Sequence, residues 1–243
     1  MKFRIAEKTF EYTPKYDRGG TEELFHDFLI DENESVDFKI DDNSMKESRH
    51  FLENLDYEFT PEELEAGALQ FTLIDLLRPF GNLFLHSAAV VVDGEAYAFT
   101  GNSGIGKSTQ CNLWLKHFGK RAYILNGDKL FYHRDNCKWT AYDTPWRGKE
   151  HLGVNGKAPL KGIIYLSQAS ENQIEDMTPG EKVERLIPQT YLPKQQDGMI
   201  LQLQLLDDFV REVPGYSLKC TISDEAVRLA YQKFNSNSKI HKM

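Results

Sequence analysis

Between residues 101 and 108 the chain reads Gly101-Asn102-Ser103-Gly104-Ile105-Gly106-Lys107-Ser108, an unbroken match to G-x-x-x-x-G-K-[ST], and Thr109 extends it. No other stretch restricts the fold as strongly. Its glycines let backbone N–H groups converge on an anion without a side chain in the way, and the helix that follows adds its positive N-terminal end. Such a loop works only between a strand and a helix, and both are written here. Glu95 to Thr100 reads as a strand, and an amphipathic helix follows through about Phe118, where Gly119 can stop it. The motif predicts a nucleoside-triphosphate site built from Gly101 to Thr109, with Lys107 on the β/γ-phosphates and the Ser108 hydroxyl as a ligand for Mg²⁺. A glycine-rich turn without a ligand is the alternative, and the strand–loop–helix setting argues against it.

The strand feeding this loop is unusual for its kind. Leu83 to Val92 reads as a strand that meets Asp93-Gly94, a two-residue hairpin turn, so the loop strand gains an antiparallel neighbour. Doubly wound nucleotide-binding folds place that strand in a parallel sheet. Downstream, Arg121–Leu125 reads as a strand ending in Asn126-Gly127-Asp128. Leu130–His133 and Lys138–Tyr142 form a second hairpin around Asp135-Asn136, Asp143–Glu150 is loop, and Leu160–Ser167 is a buried strand. Two capping boxes, Thr60-Pro61-Glu62-Glu63 and Thr178-Pro179-Gly180-Glu181, open helices. The first carries Leu64, Ala68, Phe71, Ile74 and Leu77 at helical spacing to Pro79 and reads as the join between an N-terminal head and the body. The second opens a short helix ending near Pro188. A helix to about Arg211, a strand near Tyr216–Ile222 and a helix after Ser223 complete an α/β or α+β body of about 180 residues.

Charge separates the head from the body. Residues 1–63 hold 18 of the 37 acidic and 8 of the 29 basic residues, a net of −10, while the remainder nets +2. The head is either a solvated face or a surface for a basic peptide or a neighbouring subunit. A total of −8 argues against a nucleic-acid binder. The longest apolar run, Ala88–Val92, is too short to cross a bilayer, and the charged start Met1-Lys2-Phe3-Arg4 lacks the apolar region of a signal peptide. The three cysteines, Cys111, Cys137 and Cys220, are odd in number and far apart, which excludes a disulfide scaffold and a cysteine zinc site. A cytoplasmic protein with no membrane or nucleic-acid partner is expected.

Leu85-His86-Ser87-Ala88-Ala89-Val90, the phosphate loop, and Tyr123-Ile124-Leu125-Asn126-Gly127-Asp128 together resemble the HPr kinase/phosphorylase family, and within it the small subgroup of peptide-serine-kinase-like proteins. Thr144-Pro145-Trp146-x-Gly148-Lys149-Glu150 and Ala158-Pro159-Leu160-Lys161 look like the same subgroup. The resemblance covers roughly residues 83–190 and does not extend to residues 1–80. It implies an α/β fold with a PEP carboxykinase-type phosphate-loop core and a mixed, partly antiparallel sheet. An acidic N-terminal α+β extension over 1–80 would precede a nucleotide-binding kinase domain over 81–243. It also implies ATP and Mg²⁺ as cofactors and allows a homo-oligomer.

Carried residue by residue, the resemblance gives Asp128 the role of Mg²⁺ ligand, base or both. The family has an Asp-Asp pair where this chain has Gly127-Asp128, so one acid is missing, and a plain turn aspartate is the other reading. His86 matches a family histidine near the catalytic acid and could orient it or take a hydroxyl proton, or else be a satisfied core residue. In the loop, Arg147 could clamp γ-phosphate oxygens as a catalytic cation, Lys149 could add charge, and Trp146 could stack on a base or peptide side chain, with Glu150 beside them as a substrate contact. The bland account makes this a surface loop whose Trp146 plugs the core edge. The family's G-x-R-G-x-G signature is absent, which weakens phosphorylase activity and HPr as substrate. His26, His50, His117, His133, His151 and His241 show no ligand spacing. Three activities remain: a Mg-ATP-dependent kinase acting on a serine of a peptide or protein, a kinase of a small alcohol such as free serine or a polyol, or an ATP sensor without chemistry.

Overall fold

The computed structural model describes residues 1–16 and 20–237, and the chain divides into two compact units, Met1–Asn82 and Leu83–Met243. Among the described residues no helix is long and apolar enough to cross a membrane.

The first unit pairs β1 (Lys2–Ile5) antiparallel with β2 (Lys8–Glu11), and β2 parallel with the short β3 (Phe38–Lys39). Helices α1 (Thr21–Leu24), α2 (Lys46–Glu53) and α3 (Pro61–Leu77) complete it. The Thr60 capping box forms as its residues dictate: the Thr60 side chain accepts from the Glu63 amide, and the Glu63 carboxylate accepts from the Thr60 amide. Helix α3 is a core element of this unit, buried on several sides through Ala68, Leu69, Leu73 and Leu77. It also buries Glu65, whose carboxylate accepts from the Tyr12 hydroxyl (2.8 Å), the Lys15 amide (2.8 Å) and the Thr21 hydroxyl (2.9 Å).

The second unit is an α/β structure on a mixed sheet. Its elements are β4 (Asn82–Val92), β5 (Glu95–Thr100), α4 (Lys107–Phe118), β6 (Ala122–Asn126), β7 (Lys129–Asp135) and β8 (Lys138–Tyr142). These are followed by β9 (Lys157–Gln168), β10 (Gln173–Asp176), α5 (Pro179–Leu186), α6 (Gln196–Glu212), β11 (Gly215–Cys220) and α7 (Asp224–Asn237). The strand order is β10-β11-β9-β5-β4-β7-β8, with β6 beside β4. Strand β5 is antiparallel to β4, from Ser87↔Thr100 to Val92↔Glu95, as the Asp93-Gly94 turn requires, and parallel to β9 on its other side. The second hairpin turns on Asn136-Cys137, one residue later than the sequence suggests, both residues having positive φ. Strand β9 is also longer than its apolar run. It starts against β8 at Lys157–Pro159 and then passes to β5 and β11. A proline and flanking lysines hide that first half in the sequence.

Alternation along β4 and β5 sorts the core into two faces. Ala88, Val90, Tyr97 and Phe99 face Cys111, Trp114 and Phe118 of α4 and Val227, Ala230 and Phe234 of α7. Leu85, Ala89, Ala96 and Ala98 face Leu206, Phe209 and Val210 of α6. Burying side chains of the Trp114 and Phe99 class stabilises by about 2–3 kcal/mol each. That packing holds α4, and with it the N–H groups at its start, rigidly against the sheet.

Candidate active site

Strand β5 delivers the chain at Thr100, whose hydroxyl donates to the His86 carbonyl (3.2 Å) and so ties the loop's root to β4. The loop then passes Gly104 (φ 76°) and Gly106 (φ 111°), which L side chains rarely adopt, and α4 begins at Lys107. The first N–H groups of that helix have no carbonyl ahead of them and face the loop. Lys107 is buried, and its Nζ donates to the Gly101 carbonyl (3.2 Å). Burial pushes its pKa below the ordinary lysine value, and the nearby Asp128 charge works against that shift.

Opposite the loop, β6 ends at Asn126 and β7 starts at Lys129, which leaves Gly127 and Asp128 in the turn between them. His86 lies on β4, and its Nε2 is 2.9 Å from Asp128 Oδ1. Lys129 Nζ lies 3.6 Å from Asp128 Oδ2. Burial alone would raise the Asp128 pKa. The His86 hydrogen bond and the charges of Lys129, His86 and Lys107 outweigh it, so the carboxyl stays below its usual range and is ionised at neutral pH.

These groups share one cleft of about 540 Å³. Of the residues singled out in the sequence, the phosphate-loop residues Ser103, Gly104, Gly106, Lys107, Ser108 and Thr109 line it. His86, Asp128, Arg147, Lys149 and Glu150 line it as well. Gly101, Asn102, Ile105 and Trp146 are not among its lining residues: Gly101 offers its carbonyl to Lys107, and the Trp146 ring is buried, 9% exposed. A ring buried to that degree is not an open stacking platform. His241 lies outside the described residues.

Arg147 faces the cleft but directs Nη2 (2.6 Å) and Nε (3.1 Å) to Asp143 Oδ2. Asp143 is buried, which pushes its pKa up to about 6 against the opposing pull of Arg147 and Asn126. The residue after Arg147, Gly148, has φ 74°, and a Cβ built there would stand 2.9 Å from the Asp128 Cβ. Only glycine lets the Arg147–Gly148 backbone close over the aspartate.

Sequence reasoning missed Lys129 in the cleft, although its place next to Asp128 was a usable signal. It also missed a second cavity of about 530 Å³, which shares Gly104, Gly106 and Thr109 with the first. Leu166, Gln168, Cys220 and Ile222 form its far wall, with Ile222 79% exposed. Strands β9 and β11 bring those residues in from far along the chain, so no local pattern announces them.

A magnesium ion accompanying a polyphosphate takes hard oxygen donors, one or two from protein and the rest from phosphate and water. The Ser108 hydroxyl and Asp128 carboxylate, both lining the cleft, fit that donor set. Among the described residues no group of three or more His, Cys, Asp or Glu stands close enough to hold a metal by itself.

No protein-family model and no curated protein matches the chain. Among solved structures, the chain is similar to the HPr(Ser) kinase/phosphatase from Coxiella burnetii at 11% identity and a TM-score of 0.36. That similarity covers 65% of this chain and 98% of the other. The functional reading therefore stands on the site's own geometry.

Proposed function

We propose that the chain is a Mg-ATP-dependent kinase that transfers the γ-phosphoryl group to a hydroxyl, with a serine of a peptide or protein as acceptor. The observation that carries this is the His86–Asp128 pair, 2.9 Å apart, lining the same cleft as Lys107 and Ser108. A phosphate loop alone only binds; an ionised carboxylate hydrogen-bonded to a histidine beside it can also receive a proton.

In this reading the triphosphate lies across the loop, its γ end in the cleft and its nucleoside half in the second cavity against Ile222 and Leu166. Ser108 and Asp128 would hold Mg²⁺, and the ion would supply charge neutralisation on the phosphate oxygens. Asp128, oriented by His86, accepts the hydroxyl proton as the acceptor oxygen bonds to the γ-phosphorus. The bond from that phosphorus to the β,γ-bridging oxygen breaks, and ADP leaves. Lys107 and Lys129 place positive charge near the transferring group. The net charge of −10 over residues 1–63 favours a basic peptide over a small alcohol as acceptor. The free cysteines Cys111, Cys137 and Cys220 suit the reducing, ATP-supplied cytoplasm.

Incubation with γ-labelled ATP, Mg²⁺ and a serine-containing peptide library tests this. Label should appear on peptide and be lost in Asp128→Asn. Transfer only to free serine or a polyol would move the acceptor to the small-alcohol class. Tight ATP binding without transfer to any acceptor would leave a sensor.

A further inference from the structure

We propose that Asn126, Asp143 and Arg147 form a clasp that positions Asp128, and that Arg147 serves the reaction through Asp143 as a positioning residue. The inference rests on the kinase reading for its catalytic consequence, but the clasp itself is a matter of buried hydrogen bonds.

Asn126 is fully buried at the end of β6, and both ends of its amide are engaged. Its Oδ1 accepts from the backbone N–H groups of Asp128 (2.7 Å) and Lys129 (2.9 Å), which fixes the turn under the carboxylate. Its Nδ2 donates to Asp143 Oδ1 (2.7 Å) and to the Thr144 carbonyl (3.1 Å). The other oxygen of Asp143 accepts from Nε and Nη2 of Arg147. The Thr144 hydroxyl closes the ring by donating to the Lys129 carbonyl (2.7 Å). The turn that carries Asp128 and the loop that carries Arg147 and Gly148 are thus held by one side chain each way.

The backbone agrees with the side chains. The Gly127 amide donates to the Leu152 carbonyl (2.8 Å), and a Cβ on Gly127 would lie 3.2 Å from the Arg147 carbonyl. The two strands of chain therefore touch at 127–128 and 147–148. A side chain within this contact moves Asp128 relative to the phosphate loop if it moves at all. Asp143 and Asn126 do not line the cleft, so their effect must be transmitted.

The test is a double-mutant cycle on Asp143→Asn and Arg147→Met, with kcat and the KM for ATP measured on the acceptor peptide. Each single change should lower kcat about 10- to 100-fold, the range for a supporting partner of a catalytic group. The KM for ATP should stay within about threefold, and the double variant should be no worse than about threefold below the poorer single. Losses that multiply, or an Arg147→Met loss far exceeding that of Asp143→Asn, would show Arg147 acting directly on the phosphoryl group and overturn the proposal. So would an unchanged kcat, or an ATP affinity falling in step with kcat. Should Asp143→Asn not fold, Arg147→Lys replaces it and must fall between wild type and Arg147→Met.

Amide hydrogen exchange separates the clasp from the chemistry. The Asp128 and Lys129 amides should exchange at least about tenfold faster in Arg147→Met than in wild type. Unchanged exchange overturns the clasp whether or not the wild type transfers phosphate. Faster exchange in a chain that transfers none counts against the kinase reading alone.

Discussion

Lys107→Met separates two effects that share one cause. The lysine stem is buried and its Nζ meets only the Gly101 carbonyl among the hydrogen bonds described, at 3.2 Å, while burial depresses its pKa. A charge held at that cost does little for the folded chain, and its return comes when a polyphosphate arrives. An ammonium about 4 Å from a phosphate charge gains about 4 kcal/mol at an effective dielectric of about 20. Giving up the bond to the Gly101 carbonyl costs about 1 kcal/mol of that. The net of about 3 kcal/mol corresponds to roughly 150-fold in affinity. Methionine keeps the stem's volume and removes the charge. Titration calorimetry with MgATP should therefore show binding weakened by roughly 150-fold, while urea unfolding of the free protein shifts by no more than about 1 kcal/mol. ATP binding changed by less than about threefold would refute the phosphate site. A large loss of stability would show that Lys107 holds the loop's structure instead.

Two further outcomes follow from the loop over Asp128. Gly148→Ala puts a Cβ 2.9 Å from that of Asp128 at φ 74°. It should cost about 1–2 kcal/mol in urea unfolding and lower kcat more than ATP affinity; equal losses in both would contradict the local reading. Asp143 has a folded pKa raised to about 6 by burial from an ordinary 3.8. Its contribution to stability is thus fully present below the unfolded pKa and is lost as pH rises through about 6. Relative to Asp143→Asn, the wild type should lose about 1.4 kcal/mol per pH unit between roughly pH 4 and 6, read from urea unfolding at each pH. A flat difference would show that Arg147 cancels the burial.

Local rules wrote much of this structure into the sequence. The phosphate loop sits between the strand and helix that its spacing demands, both capping boxes form, and Asp93-Gly94 folds β4 back on β5. The remainder depended on contacts between distant segments. Asn126 looks like turn chemistry in Asn-Gly-Asp, and nothing local says that its amide reaches Asp143, 17 residues on. Glu65 is buried on α3 with the Tyr12 and Thr21 hydroxyls donating to it, and no spacing along the chain marks that contact. Trp146 allows two readings, a stacking platform or a plug, and nothing within its own loop says that its side chain is buried. The wall of the second cavity needs the parallel pairing of β9 with β11, and such pairings leave no adjacent signature.

The β4–β5 hairpin has its two ends in very different surroundings. Ser87 and Thr100 pair next to the cleft, while Asp93 and Gly94 form the turn at the opposite end, five residue pairs away, or roughly 17 Å of strand. With both turn residues in left-handed backbone and a Cβ on Gly94 meeting nothing within 4 Å, that bend is an open handle. A fluorophore, a short inserted epitope or new chain termini placed there would report on the molecule from its quiet end.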